Sequence, residues 1–176
     1  MRRISDHLLR TLAAVPPSGR VLDLGCRDGA HASALAALGF DVWACSPDAA
    51  AVEAAREALA GPLGEEEARR RATTAHSDAL GYPDAFFDWV IARQAAPTRT
   101  ELRAVLEEAR RVLKPGGWVW VTADETVWGG GVQPEALTVV ALEARLALSE
   151  RASTEVDEGR PAFRGIYRRV ERDTPA

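Results

Sequence analysis

The stretch "VLDLGCRDG", beginning at Val21, runs an apolar segment into Gly25, with Gly29 four positions on and a small-residue segment after it. A glycine turn between a buried strand and a helix is a common seat for a nucleotide-type cofactor. The backbone can approach the ligand, and the helix N-terminus offers unpaired N–H groups to an anionic group. Gly25 serves the close approach and Gly29 the close packing at the helix start. The dinucleotide pattern Gly-x-Gly-x-x-Gly requires glycine at position 27, where this chain carries Arg27. Asp23, two residues before the turn, is a poor neighbour for a pyrophosphate and a tolerable one for a cation. A cofactor bearing a sulfonium, an ammonium and one carboxylate therefore suits the turn better than NAD does.

The remaining reactive side chains are scattered. His7, His31 and His76 have no metal-ligand spacing, and two cysteines make no zinc site; no metal is expected. Cys26 and Cys45 end adjacent strands, where two small buried thiols are favoured over a redox pair. His31 reads as a packed helix-start residue rather than a base. His7 sits on a leading helix, either as part of a lid over the cofactor or on an exposed face. Trp118 and Trp120 read as sheet packing. Trp128, within "VWGGGV", has two open readings, an acceptor contact and a plug over the sheet edge. Asp124 and Glu125 could each accept a proton, or neither; no catalytic residue is named.

These residues need a scaffold, and the apolar periodicity supplies one. A leading helix covers about Ile4 to Ala14. "RVLDLG" is a buried strand, "AHASALAAL" a helix ended by Gly39, and "FDVWACS" the second strand. "PDAAAVEAAREALA" follows as a helix with Pro47 in its first turn. Gly61, Pro62 and Gly64 then break the chain, leaving "EEEARRR" as a connector or helix end. "ATTAHSDA" is a weak third strand and "AFFDWVIAR" a strong fourth. "RTELRAVLEEARRVL" is an amphipathic helix whose stripe is Leu102, Val105, Leu106, Ala109, Val112 and Leu113. "KPGG" turns the chain into the fifth strand, "WVWVTAD". A helix from about Glu135 to Arg145 precedes a hairpin of "ALSERAST" and "AFRGIYRRVE". Strand and helix alternate throughout, which implies a three-layer α/β sandwich.

Composition narrows the partners. The chain has 176 residues, 47% apolar and 27% charged, with net charge −4. That balance argues against a general nucleic-acid or membrane-surface binder. Arg69, Arg70 and Arg71, and likewise Arg168 and Arg169, are interleaved with acidic residues and read as solvated faces. No segment has the length and apolarity of a membrane span or the pattern of an export signal. The expected location is the cytoplasm, and the expected partner is a small-molecule substrate. Oligomeric state is open.

"VLDLGCRDG", "SDALGYPDAFFDWVIA" and "EEARRVLKPGGWVWVTAD", in this order and spacing, resemble the class I S-adenosylmethionine-dependent methyltransferases. The likeness is to small single-domain members of the tellurite-resistance and ubiquinone-biosynthesis types, and covers about Val21 to Glu171. It implies a Rossmann-like αβα sandwich with a mostly parallel seven-stranded sheet of order 3-2-1-4-5-7-6, its final strand antiparallel. Residues 1–176 then form one domain, with 1–19 as leading helix and lid and 20–172 as core.

The resemblance implies S-adenosyl-L-methionine as cofactor, with Asp23, Gly25, Cys26 and Gly29 around its methionine part. Asp78, with Ala79, matches the acidic residue that accepts from the adenine amino group, and Arg93 lies between cofactor and acceptor. Two departures stand out. The family places a bidentate carboxylate for the ribose hydroxyls where this chain has Ser46, whose neutral bond is weaker by roughly 1 kcal/mol. Asp48 either substitutes for it or serves as an early helix residue. Arg27 either reaches the cofactor carboxylate or points to solvent. The implied function is in-line methyl transfer to a small-molecule acceptor. The alternative is a non-catalytic S-adenosylmethionine-binding or interaction module with a degenerate ribose site; an NAD-dependent oxidoreductase is disfavoured by Arg27.

Overall fold

The structure is a computed structural model and describes residues 6–13, 18–93, 98–124, 134–157 and 160–170. Its strands are β1 (Arg20–Leu24), β2 (Asp41–Ser46), β3 (Ala72–Thr74), β4 (Phe87–Arg93), β5 (Leu113–Asp124), β6 (Ala147–Asp157) and β7 (Arg160–Arg168). They form one sheet of order β3-β2-β1-β4-β5-β7-β6. The strands from β3 across to β5 pair in parallel, whereas β7 runs antiparallel to both β5 and β6. The expected sheet order and antiparallel end are therefore present. Strand order reverses between β1 and β4, which puts a crevice outside the carboxyl ends of those strands.

The helices are α1 (Asp6–Ala13), α2 (Ala30–Ala37), α3 (Ala49–Leu63), α4 (Glu65–Arg71), α5 (Arg99–Val112) and α6 (Glu135–Glu143). One apolar cluster joins Leu8 and Leu12 of α1 with Leu35 of α2, Val52 and Leu59 of α3, and Val21, Ile91, Trp120 and Ile166 of the sheet. A second joins Leu102, Val105 and Leu106 of α5 and Leu137 and Val140 of α6 with Leu22, Val90, Val119 and Phe163. Alternate residues of each strand thus feed opposite cores, as the strand's two-residue period requires. All four residues of β1 from Val21 to Leu24 are buried, as expected of a central parallel strand.

Several local readings are corrected. Pro47 precedes the helix rather than opening it, because Asp48 is the N-cap of α3 and its carboxylate accepts from Ala50 N–H at 2.9 Å. Gly61 and Pro62 do not break the chain; α3 continues to Leu63. A proline at 62 offers no N–H to the Ala58 carbonyl one turn back. The Ser33 hydroxyl of α2 donates to that carbonyl instead, at 2.7 Å. "EEEARRR" is a helix in its own right, with acidic residues in its first turn and basic ones in its last, matching the helix dipole. Its arginines pair with Glu65, Glu67 and Asp41, as a solvated face should. The "KPGG" residues lie inside β5, in an irregularity between the Phe87–Leu113 and Trp89–Trp118 pairings. There Lys114 Nζ contacts both carboxylate oxygens of Asp88 at 2.8 Å. β6 runs three residues beyond the predicted "ALSERAST", to Asp157, whereas β7 starts earlier than predicted, at Arg160, and ends at Arg168; Trp118 stacks on Trp89 at 5.7 Å between ring centroids.

Candidate functional site

The Gly25 turn begins with two backbone bonds. Gly25 N–H and Cys26 N–H both donate to the Cys45 carbonyl, at 2.8 and 3.1 Å, tying the end of β1 to the end of β2. Gly25 has φ +80°, Arg27 +49° and Gly29 +69°. A left-handed conformation costs a residue with a Cβ about 1–2 kcal/mol, and Arg27 bears it at the position where the dinucleotide pattern has glycine. The two glycines differ in what surrounds them. A Cβ on Gly29 would lie 2.5 Å from Ala55 Cα and 3.0 Å from Ala58 Cβ, so Gly29 is where α2 meets α3 at backbone distance. Among the described residues, a Cβ on Gly25 would meet only the Arg93 carbonyl oxygen, at an ordinary 3.5 Å. Gly25 thus leaves a gap at the sheet edge, and Gly29 closes one inside the fold.

Asp23 is fully buried, and among the described residues neither of its oxygens closes a hydrogen bond. Burial pushes its carboxyl above the ordinary carboxylate range, while the Arg93 charge and the Ala32 N–H of α2 pull the other way. Asp28 Oδ1 accepts from Ala30 N–H at 3.3 Å. One first-turn amide of α2, expected to serve an anionic ligand group, thus faces the chain's own Asp28. A buried, under-satisfied carboxylate beneath a glycine turn is suited to a cationic ligand group.

Ser46 ends β2 and is buried, its Oγ accepting from Asp48 N–H at 3.1 Å. Its own O–H proton remains available to a ligand. Asp48 is exposed and caps α3 from outside its first turn. Asp78 and Ala79 do not end a strand: β3 stops at Thr74, and both lie in a turn closed by the His76–Ala79 bridge, where Ala79 N–H donates to the His76 carbonyl at 3.1 Å. Asp78 is exposed there. Below the turn, Leu80 N–H donates to Glu108 Oε1 at 2.7 Å. Arg111 donates to the Leu80 and Tyr82 carbonyls, each at 2.9 Å, so the end of α5 anchors this loop.

The structure thus gathers Asp23, Gly25, Cys26, Arg27, Gly29, Ser46, Asp48 and Arg93 around the ends of β1, β2 and β4. Asp78 and Ala79 follow in the turn after β3, and Ala75, at the entry to that turn, donates its N–H to the Ser46 carbonyl at 3.1 Å. Cys26 and Cys45 are free thiols in opposite cores. Burial pushes Cys26 up to about 12, with Asp23 adding to the shift, and pushes Cys45 up as well. Burial disfavours the thiolate at both, and with the two side chains in opposite cores this supports the buried-thiol reading. His31 is buried in α2, as expected of a packed residue. Among the described residues no cluster of His, Cys, Asp and Glu could hold a metal ion. Trp128 and Glu125, together with the Asp124 side chain, lie outside the described residues.

His7 is half-buried rather than on an open face. Its Nδ1 accepts from the Trp120 indole N–H at 3.4 Å, and its Nε2 lies 3.2 Å from Glu150. An indole nitrogen can only donate, so Nδ1 is unprotonated and Nε2 carries the proton toward Glu150. Sequence reasoning missed a row of polar residues beneath α1. Register aligns Arg93 of β4 with Thr122 of β5, and Thr122 with Arg164 of β7. The available signal was a threonine and an arginine interrupting apolar strands on the inward-facing alternation.

A glycine turn at the β1–β4 switch, over a buried aspartate, in a sheet of this order with an antiparallel end, defines the class I methyltransferase architecture. Residues 22–121 match the family described as "Methyltransferase domain". The chain belongs to this family, the class I S-adenosylmethionine-dependent methyltransferases. It is 37% identical over 119 residues to a demethylmenaquinone methyltransferase of Clavibacter sepedonicus, covering 64% of this chain and 46% of that protein. It is 32% identical over 114 residues to a 2-methyl-6-phytyl-1,4-hydroquinone methyltransferase of Synechocystis, covering 64% and 34%. The chain spans less than half the length of both curated relatives. A solved SAM-dependent methyltransferase structure from Methanosarcina mazei superposes with a TM-score of 0.75 at 15% identity, covering 96% of this chain and 99% of that one. At that identity the likeness is one of fold.

Proposed function

We propose that this chain binds S-adenosyl-L-methionine at the Gly25 turn and transfers its methyl group to a small acceptor of the hydroquinone type. The observation that carries the cofactor reading is the buried Asp23 carboxylate under a glycine turn where, among the described residues, an added Cβ would meet one carbonyl oxygen at 3.5 Å. The acceptor class draws on the two quinol-methylating relatives. In this reading Asp23 and the backbone at Gly25 hold the cationic amino-acid end, and the Ser46 hydroxyl donates to a ribose oxygen. Asp78 faces the adenine, and α1 with the Arg93 side chain borders the acceptor. Bound S-adenosylmethionine supplies an electrophilic methyl on a good leaving group. The protein's share is alignment and exclusion of water, with a base needed only for an acceptor that keeps its proton. Two free, buried thiols accord with a cytoplasmic setting.

The test is thermal unfolding with S-adenosylhomocysteine, S-adenosylmethionine and NAD. A ligand at a hundred times its Kd stabilises by about 2.7 kcal/mol. A shift with the first two alone supports the cofactor reading; a shift with NAD, or with none, overturns it. Transfer of labelled methyl to reduced quinones then tests the acceptor. One observation favours a second reading, a binding module without turnover. Ser46 offers a neutral hydroxyl where the family has a carboxylate, and Asp48 N–H already takes one of its two acceptor lone pairs. Binding of S-adenosylhomocysteine without turnover on any quinol would select that reading.

A further inference from the structure

Across the carboxyl ends of the strands, Arg93, Thr122 and Arg164 are direct register partners on β4, β5 and β7. All three fall on the α1 side of the sheet, two residues beyond Ile91 and Trp120 on the parallel strands and two before Ile166 on the antiparallel one. Arg93 is 3% exposed, Thr122 is fully buried, and the Arg164 side chain is 11% exposed. Arg164 continues the row into β6 by donating to Ser153 Oγ at 2.8 Å. The carboxylates on this face, Asp23 and Glu150, lie one step deeper, in register with Ile91 and Ile166. The outer row therefore sets an arginine in register on either side of a threonine, with the Arg164 guanidinium held by Glu150 and Ser153 of β6. The Thr122 hydroxyl makes no hydrogen bond among the described residues. An unsatisfied buried hydroxyl destabilises the free protein and calls for a partner. Two arginines on the same row, Arg164 held by Glu150 and Arg93 beside the Asp23 charge, favour an anion as that partner.

Resting on the methyltransferase reading above, we infer that this row receives an oxyanion of the methyl acceptor, a carboxylate or a phenolate that is not itself the methylated atom. Position separates it from the cofactor's own carboxylate. Arg164 stands three strand spacings from Gly25, about 14 Å across the sheet. That is too far for an amino-acid group held at the Gly25 turn. Planar guanidinium groups suit a two-oxygen or aromatic oxyanion, and a low-dielectric setting strengthens each contact. His7 and Glu150 position the row from beneath, since Glu150 lies 3.3 Å from Arg164 Nη1 and 3.2 Å from His7 Nε2.

The experiment follows the arginine Nε–H signals of the full chain by nitrogen–proton correlation spectroscopy, saturated with S-adenosylhomocysteine. Benzoate is titrated in, with benzamide as the neutral isostere. The expected result is a saturable shift of the Arg93 and Arg164 signals with benzoate, at a Kd of about 1–10 mM, and none with benzamide. Thr122→Val keeps the shape and removes the hydroxyl. It should weaken benzoate at least about fivefold, raise the melting temperature and leave S-adenosylhomocysteine affinity unchanged. Equal response to benzamide, no saturable benzoate shift, displacement of benzoate by S-adenosylhomocysteine, or unchanged benzoate affinity in Thr122→Val would each overturn the assignment. Failure of S-adenosylhomocysteine itself to bind would instead count against the cofactor reading.

Discussion

Gly25 and Gly29 share the left-handed backbone region yet should fail in opposite ways when given a methyl group. At Gly29, alanine bears about 1–2 kcal/mol for its φ of +69°. Its Cβ would also lie 2.5 Å from Ala55 Cα, a backbone atom that moves only if α3 moves. Forcing such a shift in a packed interior costs about 1–3 kcal/mol, so Gly29→Ala should lose about 2–5 kcal/mol in all. At Gly25 the conformational cost is similar, but the new methyl meets one carbonyl oxygen at 3.5 Å. Gly25→Ala should therefore lose only about 1–2 kcal/mol. Ligand affinity should invert the order. The Gly25 methyl occupies the gap the ligand enters and should weaken S-adenosylhomocysteine at least about tenfold, or 1.4 kcal/mol. The Gly29 variant, measured on its folded fraction, should bind within about threefold of the parent. Urea unfolding followed by tryptophan fluorescence reports the first quantity at fixed slope, and titration calorimetry the second. Equal stability losses, or full affinity in Gly25→Ala, would refute the division of labour between the two glycines.

Three further outcomes are expected. Ser46→Asp should tighten S-adenosylhomocysteine about fivefold by adding a charge-assisted bond worth roughly 1 kcal/mol, and calorimetry showing no change would take position 46 out of the ribose site. Ser33→Ala should cost about 1–2 kcal/mol because the Ala58 carbonyl loses the hydroxyl that replaces the missing Pro62 N–H; adding Pro62→Ala should recover most of that loss in urea midpoints. The hydrogen bond from Arg111 holds the Glu108 carboxyl below its usual range. With a depressed folded value, this stabilisation is complete above the unfolded value of about 4.3 and disappears as pH falls through the folded one. Glu108→Gln should lower the neutral-pH midpoint and flatten the acid limb, and an unchanged profile would exclude the pair as the anchor of the loop carrying Asp78.

Much of this architecture was legible locally. The passage from a buried apolar run through Gly25 to a small-residue helix marks the strand–turn–helix unit, and the Leu102-to-Val112 stripe marks α5. At the N-terminus of α5, Thr98 accepts from Glu101 N–H at 3.2 Å and donates to its carboxylate at 2.7 Å. Such signals are legible because backbone conformation and side-chain period are settled within a few residues. The misreadings had non-local causes. Pro62 looked like a helix end until Ser33, on another helix, was seen to satisfy the carbonyl that Pro62 leaves bare. Asp78 looked like a strand end because the β-branched run through Thr74 carries no mark of where pairing with β2 stops.

The sequence by itself determined the order of elements, the faces they bury and the glycine turn that opens toward a ligand, because those follow from local sterics and apolar period. Only the tertiary structure decided which side chains share a row. Arg93, Thr122 and Arg164 are separated by 29 and 42 positions in the chain, and nothing in their spacing announces contact. Parallel pairing of β4 with β5 and antiparallel return of β7 bring them into one register, and a shift of a single residue in either ladder would send them to opposite faces.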